Sequence, residues 1–199
     1  MANLITQLIK EFDDRTVLPV DVNDVVAFLR KHGVQDEIEF LGVDLDADIL
    51  LGQIKRFTYR KVAYGEPIFA ANIYYDRNGS NAWRRMVCCK ELLHMTDPEM
   101  SRAKTRQEIQ RQAEKMGLPP GMQDALKEPP SVNFDRLAEY QATAVLFPWA
   151  ARSALIEAYK AEKLTLDDVA RMADLPRRQA SFVMSELWEA SHQALIELQ

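Results

Sequence analysis

Apolar residues recur with two different periods along this chain of 199 residues. Over residues 3–12 and 22–29 they recur every three to four positions, which is typical of helices that bury one face. Residues 37–43, 50–60 and 67–75 are instead rich in Ile, Phe, Tyr and Val and are bounded by turn-forming residues, which indicates strands. The pattern predicts an α+β fold in which a small sheet of about three strands follows two helices.

From residue 81 onward the pattern is helical. Helices are expected over residues 81–95, 98–115, 134–145, 149–162, 165–173 and 176–198. Four of the nine prolines lie in residues 117–131, which favours a loop and marks the best candidate for a mobile element. The break at Pro148 predicts a domain over residues 1–148, with residues 149–199 forming a helical subdomain packed on it.

Composition narrows the functional classes. A hydrophobic content of 47% is ample for a core, and a formal net charge of −5 argues against non-specific affinity for nucleic acid or anionic membranes. No apolar run is long enough to cross a bilayer, so no membrane partner is expected. Cys88 and Cys89 are the only cysteines and lie in an apolar helical segment, where core packing is the expected role. Their small number favours a reducing compartment, and we expect a cytoplasmic protein.

Residues 90–94 have the spacing of a zinc-peptidase helix in which one ligand is changed. The segment Lys90-Glu91-Leu92-Leu93-His94 is H-E-x-x-H with lysine in place of the first histidine. In the intact pattern, two histidines four residues apart hold Zn²⁺ and the glutamate activates a water molecule. A protonated lysine has no lone pair to offer a metal. The segment therefore keeps the frame of a peptidase site but lacks one metal ligand.

Four short segments, taken in order, resemble the ImmA/IrrE family of zinc-peptidase-like regulators. They are Pro19-Val20-Asp21-Val22, Ile73-Tyr74-Tyr75-Asp76, Arg84 to His94, and Leu137 to Pro148. The resemblance covers about residues 17–187. It implies a gluzincin-like helical half beside the sheet and a C-terminal subdomain similar to a helix-turn-helix. It also implies that residues 68–75 form the strand that borders the substrate cleft, where an extended peptide would pair.

The resemblance assigns roles to particular residues. His94 matches the second histidine ligand, Glu91 the general base, and Glu139 the third, acidic ligand, while Lys90 stands at the first ligand. His94 and Glu139 are fewer than the three protein ligands that catalytic zinc sites keep, so tight zinc binding is not expected. If hydrolysis were retained, Glu91 would take a proton from a metal-bound water held by those two ligands.

Lys90 has a second interpretation, in which it substitutes for the metal. Its ammonium group would then lie where Zn²⁺ is expected and would pair with Glu139, sparing that carboxylate from burial without a partner. A neutral Lys90, or a displaced Cys89, is the remaining route to a metal site. Cys89 lies about 100° around the helix from Lys90, which disfavours that route.

The C-terminal segment supports an alternative function. Residues 164–185 have the form of a helix-turn-helix, and Arg177, Arg178, Gln179 and Ser181 would face the major groove in a DNA-binding transcriptional regulator. Asp167 and Asp168 on the preceding helix argue against this alternative.

The function that the resemblance implies is regulation. Family members cleave or relieve a DNA-bound repressor in stress response or in the control of mobile elements such as prophages, usually with zinc. We expect this chain to keep a cleft for a protein or peptide partner and to have lost, or nearly lost, hydrolysis.

Overall fold

A computed structural model describes residues 3–45, 52–97 and 130–198. Within them lie three strands and eight α-helices, which confirms the α+β class and the small sheet. The strands are β1 (Glu37–Val43), β2 (Gly52–Tyr59) and β3 (Ile68–Asp76). The helices are α1 (Leu4–Phe12), α2 (Val22–Lys31), α3 (Asn81–Leu93), α4 (Pro130–Leu146), α5 (Trp149–Lys160), α6 (Leu166–Ala173), α7 (Arg177–Val183) and α8 (Leu187–Glu197). A 3₁₀ turn (His94–Thr96) follows α3 directly.

The sheet has the order β1-β3-β2. β3 runs parallel to β1 and antiparallel to β2, so its backbone is hydrogen-bonded on both sides. The expectation that residues 68–75 offer an edge to an extended peptide is therefore wrong, because a central strand has no free backbone groups for a third partner. Phe40, Ile54 and Ile73 lie side by side across the three strands and face the apolar core.

Helix α3 packs on the buried face of the sheet. It begins after Ser80, whose hydroxyl accepts a hydrogen bond from the backbone N–H of Trp83 and satisfies one of the unpaired donors at the helix start. At Gly52 the strand β2 comes so close to α3 that an added Cβ would lie 2.1 Å from Cγ1 of Val87. The absence of a side chain at Gly52 thus fixes how near β2 approaches the helix that carries the candidate site.

The C-terminal helices share the core of the N-terminal part. Helix α4 packs on α3 and α1, and α8 packs on α1. The hydroxyl of Thr6 donates to the carbonyl oxygen of Leu198 at 3.0 Å, and Nε2 of His192 lies 2.9 Å from a carboxylate oxygen of Asp13. One apolar cluster therefore includes buried residues from both sides of Pro148.

The C-terminal segment differs from its prediction in one respect. A single helix was expected over residues 176–198, but α7 ends at Val183 and α8 begins at Leu187. The hydroxyl and the backbone N–H of Ser185 both donate to the carbonyl oxygen of Phe182, which satisfies an acceptor at the end of α7 locally.

The expected loop over 117–131 lies almost wholly outside the described residues, and the helix expected over 98–115 lies entirely outside them. No helix in the described ranges is both long and apolar enough to span a membrane.

Candidate functional site

The candidate site lies on the face of α3 that meets α4. His94 lies three positions after Glu91 and four after Lys90, so its side chain is a neighbour of both on the helix surface. Glu91 is 4% exposed, and the side chains of Lys90 and His94 are 17% and 13% exposed. Asp135 from the first part of α4, 8% exposed, completes the cluster from the opposite side. We call these four residues the Lys90 cluster.

The ammonium group of Lys90 bridges two carboxylates. Its Nζ atom lies 2.7 Å from Oδ1 of Asp135 and 2.9 Å from Oε1 of Glu91. Burial by itself would lower the pKa of Lys90, but the two carboxylates outweigh burial and raise it above its ordinary value. Lys90 is therefore a fixed cation at any physiological pH.

His94 lies between two carboxylates. Its Nε2 atom is 3.2 Å from the same Asp135 oxygen that Lys90 contacts, and its Nδ1 atom is 2.5 Å from Oδ2 of Asp97. Burial favours the neutral ring, but the hydrogen bonds to Asp135 and Asp97 prevail and raise the pKa of His94 to about 9. At neutral pH the imidazole is thus protonated, and both ring nitrogens donate hydrogen bonds.

Asp135 is the acceptor that joins the two cations. Its burial would raise its pKa, but the charge of Lys90 and the hydrogen bond from His94 hold that pKa well below its usual range. The cluster consequently contains two cations that face the carboxylates of Glu91, Asp135 and Asp97. Such compensation is what allows charged groups to be buried at a helix–helix contact.

Three of these residues have the chemistry of metal ligands. One oxygen each from Glu91 and Asp135 and a ring nitrogen of His94 lie within 4.8 Å of one another. Zn²⁺ binding at neutral pH would have to displace the proton of His94, whose pKa is raised, and this weakens the affinity of the set for a metal. Lys90 holds one oxygen of each carboxylate, so a divalent ion at this site would also meet the positive charge of the ammonium group.

Glu139, the predicted third ligand, is not brought to the Lys90 cluster. Its Oε1 atom accepts hydrogen bonds from Arg178 at 2.9 Å and from Gln179 at 2.8 Å, both on α7. Asp135, one helical turn earlier on α4, stands where Glu139 was expected and also takes its predicted ion pair with Lys90. Sequence analysis missed Asp135, although its spacing of four residues from Glu139 puts both carboxylates on nearly the same side of α4.

Cys88 and Cys89 are buried beside the cluster, as expected of core residues. Burial raises the pKa of the Cys88 thiol to about 12 and that of Cys89 above its ordinary value. Neither sulfur is a thiolate at neutral pH, so neither offers a reactive nucleophile or a ready metal ligand.

The residues proposed to read DNA lie at the start of α7. Arg177 pairs with Asp167 at 2.7 Å and Arg178 pairs with Glu139, while Ser181 is exposed. Gln179 is only 3% exposed and donates to Glu139, so its amide cannot reach a base edge without leaving the core. The structure thus exposes three of the four residues and buries the fourth.

Comparisons of the chain with protein-family models, with curated proteins and with solved structures find no match.

Proposed function

We propose that this chain is a regulatory protein of the ImmA/IrrE metallopeptidase-like type in which Lys90 takes the place of the zinc ion. It binds a protein partner, such as a transcriptional repressor, and does not hydrolyse it. The observation that carries the proposal is the position of the Lys90 ammonium group, 2.7 Å from Asp135 and 2.9 Å from Glu91, on the motif that resembles a zinc-binding helix.

Electrostatics supports the replacement. A metallopeptidase site gathers acidic and imidazole ligands around a cation, and without that cation its buried carboxylates repel one another. Lys90 supplies the positive charge from the chain itself, and protonated His94 adds a second one. The cluster is therefore stable without a metal.

Hydrolysis is disfavoured by the same contacts. A general base needs a carboxylate that water can reach, and Glu91 is almost fully buried with its Oε1 atom held by Lys90. The residues of the cluster hold α3 against α4, and we derive no hydrolytic step from them. The partner itself is inferred from the resemblance, which implies action on a repressor.

Conversion of Lys90 to histidine tests the proposal. Lys90→His removes the ammonium group and supplies the missing imidazole, so we expect the variant to gain a zinc site of one ion per chain in calorimetric titration. The wild-type chain should show none. Failure of Lys90→His to bind zinc, with the fold intact by circular dichroism, would contradict descent of the cluster from a metal site.

Two further substitutions in the Lys90→His background identify the third ligand. Asp135→Asn should abolish the gained zinc binding, whereas Glu139→Gln, which changes a carboxylate one turn away on the same helix, should leave it unchanged. Loss of zinc binding through Glu139→Gln and not through Asp135→Asn would restore the ligand assignment predicted from sequence.

DNA binding by α6 and α7 is the less favoured function. Gln179 is buried, and Arg177 and Arg178 are in ion pairs, so few side chains of α7 are free to form hydrogen bonds with base edges. A gel-shift titration of duplex DNA at two salt concentrations tests it, and salt-dependent affinity that Arg178→Ala removes would favour it over the regulatory function proposed above.

A further inference from the structure

The two ring nitrogens of His94 face different carboxylates. Its Nε2 atom faces Asp135, at the oxygen that also contacts Lys90, whereas its Nδ1 atom lies 2.5 Å from Oδ2 of Asp97. Asp97 follows His94 by three positions and is not among the three residues whose atoms lie close enough together to hold one metal ion. It therefore contacts the imidazole from outside the set of possible ligands.

This pair of contacts fixes the orientation of the ring. The side chains of His94, Asp97 and Asp135 are 13%, 18% and 11% exposed, so water has little access to either hydrogen bond. A half-turn of the imidazole about its Cβ–Cγ bond would put carbon atoms in the places of the two nitrogens and break both hydrogen bonds. The ring therefore stays with Nδ1 toward Asp97 and Nε2 toward Asp135.

The backbone around Asp97 is held by both the helix and the sheet. The N–H of Asp97 donates to the carbonyl oxygen of His94 at 3.3 Å and closes the 3₁₀ turn after α3. From β2, the guanidinium group of Arg56 donates to the carbonyl oxygen of Met95 at 3.1 Å and to the carboxylate of Asp36 at 2.9 Å. The fold itself thus places the Asp97 carboxylate beside the ring.

The arrangement is typical of a histidine that binds a metal. Such a histidine donates its second ring N–H to a carboxylate or a carbonyl group, and this contact aims the other nitrogen at the metal. We propose that Asp97 is a positioning residue that fixes the His94 ring with Nε2 toward Asp135. In the present chain this orientation lets His94 share the Asp135 carboxylate with Lys90. With histidine in place of Lys90, the same orientation presents Nε2 to the metal.

The inference rests on the proposed function, because it takes the Lys90 cluster to be a metal site in which lysine has replaced the ion. Zinc titration of Lys90→His, with and without a change at Asp97, tests it. In that background Asp97→Ala removes the acceptor, and we expect about ten- to hundredfold weaker zinc binding by calorimetry, the effect typical of losing such a partner. Asp97→Asn keeps an oxygen that can accept from Nδ1, so it should restore part of the lost affinity.

Two control variants in the same background separate the contact from other effects. Thr96→Val changes the neighbouring residue, whose hydroxyl donates to the carbonyl oxygen of Leu93, and should leave zinc affinity unchanged. Glu139→Gln removes a carboxylate that does not contact His94 and should also leave it unchanged. Losses as large in either control as in Asp97→Ala would overturn the role of Asp97.

A spectroscopic measurement identifies the ring nitrogen that carries the metal. Nuclear magnetic resonance of Lys90→His, with ¹⁵N-labelled histidine and bound ¹¹³Cd²⁺, shows which nitrogen of His94 is coupled to the ion. We expect coupling to Nε2 and a proton on Nδ1. Metal on Nδ1 would overturn the proposal, because that nitrogen is assigned to Asp97. This measurement does not require Asp97→Ala to fold.

Failure of this inference can be told from failure of the proposed function. Absence of zinc binding by folded Lys90→His would overturn both. Tight zinc binding by Lys90→His that a folded Asp97→Ala variant leaves unchanged would overturn the role of Asp97 alone. Circular dichroism establishes that each variant is folded.

Discussion

Two carboxylates on α4, one helical turn apart, meet cations in very different surroundings. Asp135 contacts Lys90 at 2.7 Å, with side-chain exposures of 11% and 17%. Glu139 contacts Arg178 at 2.9 Å, but the side chain of Arg178 is 73% exposed. The two contact distances are nearly equal, so the difference in burial decides how much each ion pair contributes to stability. Water can replace Arg178, whereas loss of Lys90 would remove much of the charge compensation of two largely buried carboxylates.

Removal of the Lys90 charge should have the largest effect. Lys90→Met keeps an unbranched side chain but removes the cation beside the buried carboxylate of Glu91 and leaves Asp135 with His94 alone. We expect the free energy of unfolding, measured by urea denaturation at pH 7, to fall by about 3 to 5 kcal/mol. A loss below about 1 kcal/mol would show that the cluster behaves like an exposed pair and would erase the contrast with Glu139.

The second largest effect is expected in the pH dependence of stability. It should arise from His94 in the Lys90 cluster and not from the Glu139–Arg178 pair. The pKa of His94 is about 9 in the folded chain, against an ordinary value of 6.5, so the folded state binds its proton more tightly than the unfolded state does. The stabilisation is therefore complete below pH 6.5 and is lost as the pH rises through 9, up to about 3 kcal/mol. Urea denaturation from pH 6 to 10 measures it.

His94→Gln is the control for that profile, because it should remove the alkaline loss, whereas Arg178→Met should leave the loss in place. An equal alkaline loss in the wild type and in His94→Gln would assign the effect to another group.

Double-mutant cycles give the third comparison. For Lys90→Met with Asp135→Asn we expect a coupling energy of about 2 kcal/mol, and for Arg178→Met with Glu139→Gln about 0.5 kcal/mol or less. The coupling of the exposed pair should also decline at high salt, while that of the buried pair should persist. Reversal of the two coupling energies would show that burial does not control the weight of these contacts.

The smallest effect is expected from Arg178→Met alone. The Glu139 carboxylate keeps its hydrogen bond from Gln179 and gains water in place of the guanidinium group. The free energy of unfolding should change by less than about 1 kcal/mol, as judged from the midpoint of urea denaturation. A larger loss would mean that α7 depends on this ion pair for its position on α4.

Local spacing predicted one half of the candidate site. His94 meets Glu91 and Lys90 because positions three and four apart on a helix are neighbours, and that geometry needs no knowledge of the rest of the chain. The choice between Asp135 and Glu139 depends on where α4 crosses α3 and α7. Both residues satisfy the same helical period, so periodicity cannot separate them, and the resemblance favoured the later residue.

The order of strands in the sheet also could not be predicted from local sequence patterns alone. Residue composition and turn residues predicted three strands near their observed positions, but parallel pairing of β1 with β3 places β3 in the centre through contacts distant in sequence. One signal was present in the chain, since consecutive Ala70 and Ala71 put small apolar residues on both faces of β3. Burial of both faces is typical of a central strand and disfavours an exposed edge.

Metal content of the purified wild-type chain tests the central claim most directly. After expression with added zinc and extensive dialysis, elemental analysis should find no stoichiometric zinc, because the Lys90 ammonium group holds the carboxylates that a metal would need. One equivalent of zinc per chain, removable by a chelator and absent from His94→Gln and Asp135→Asn variants, would contradict the replacement of the metal by lysine.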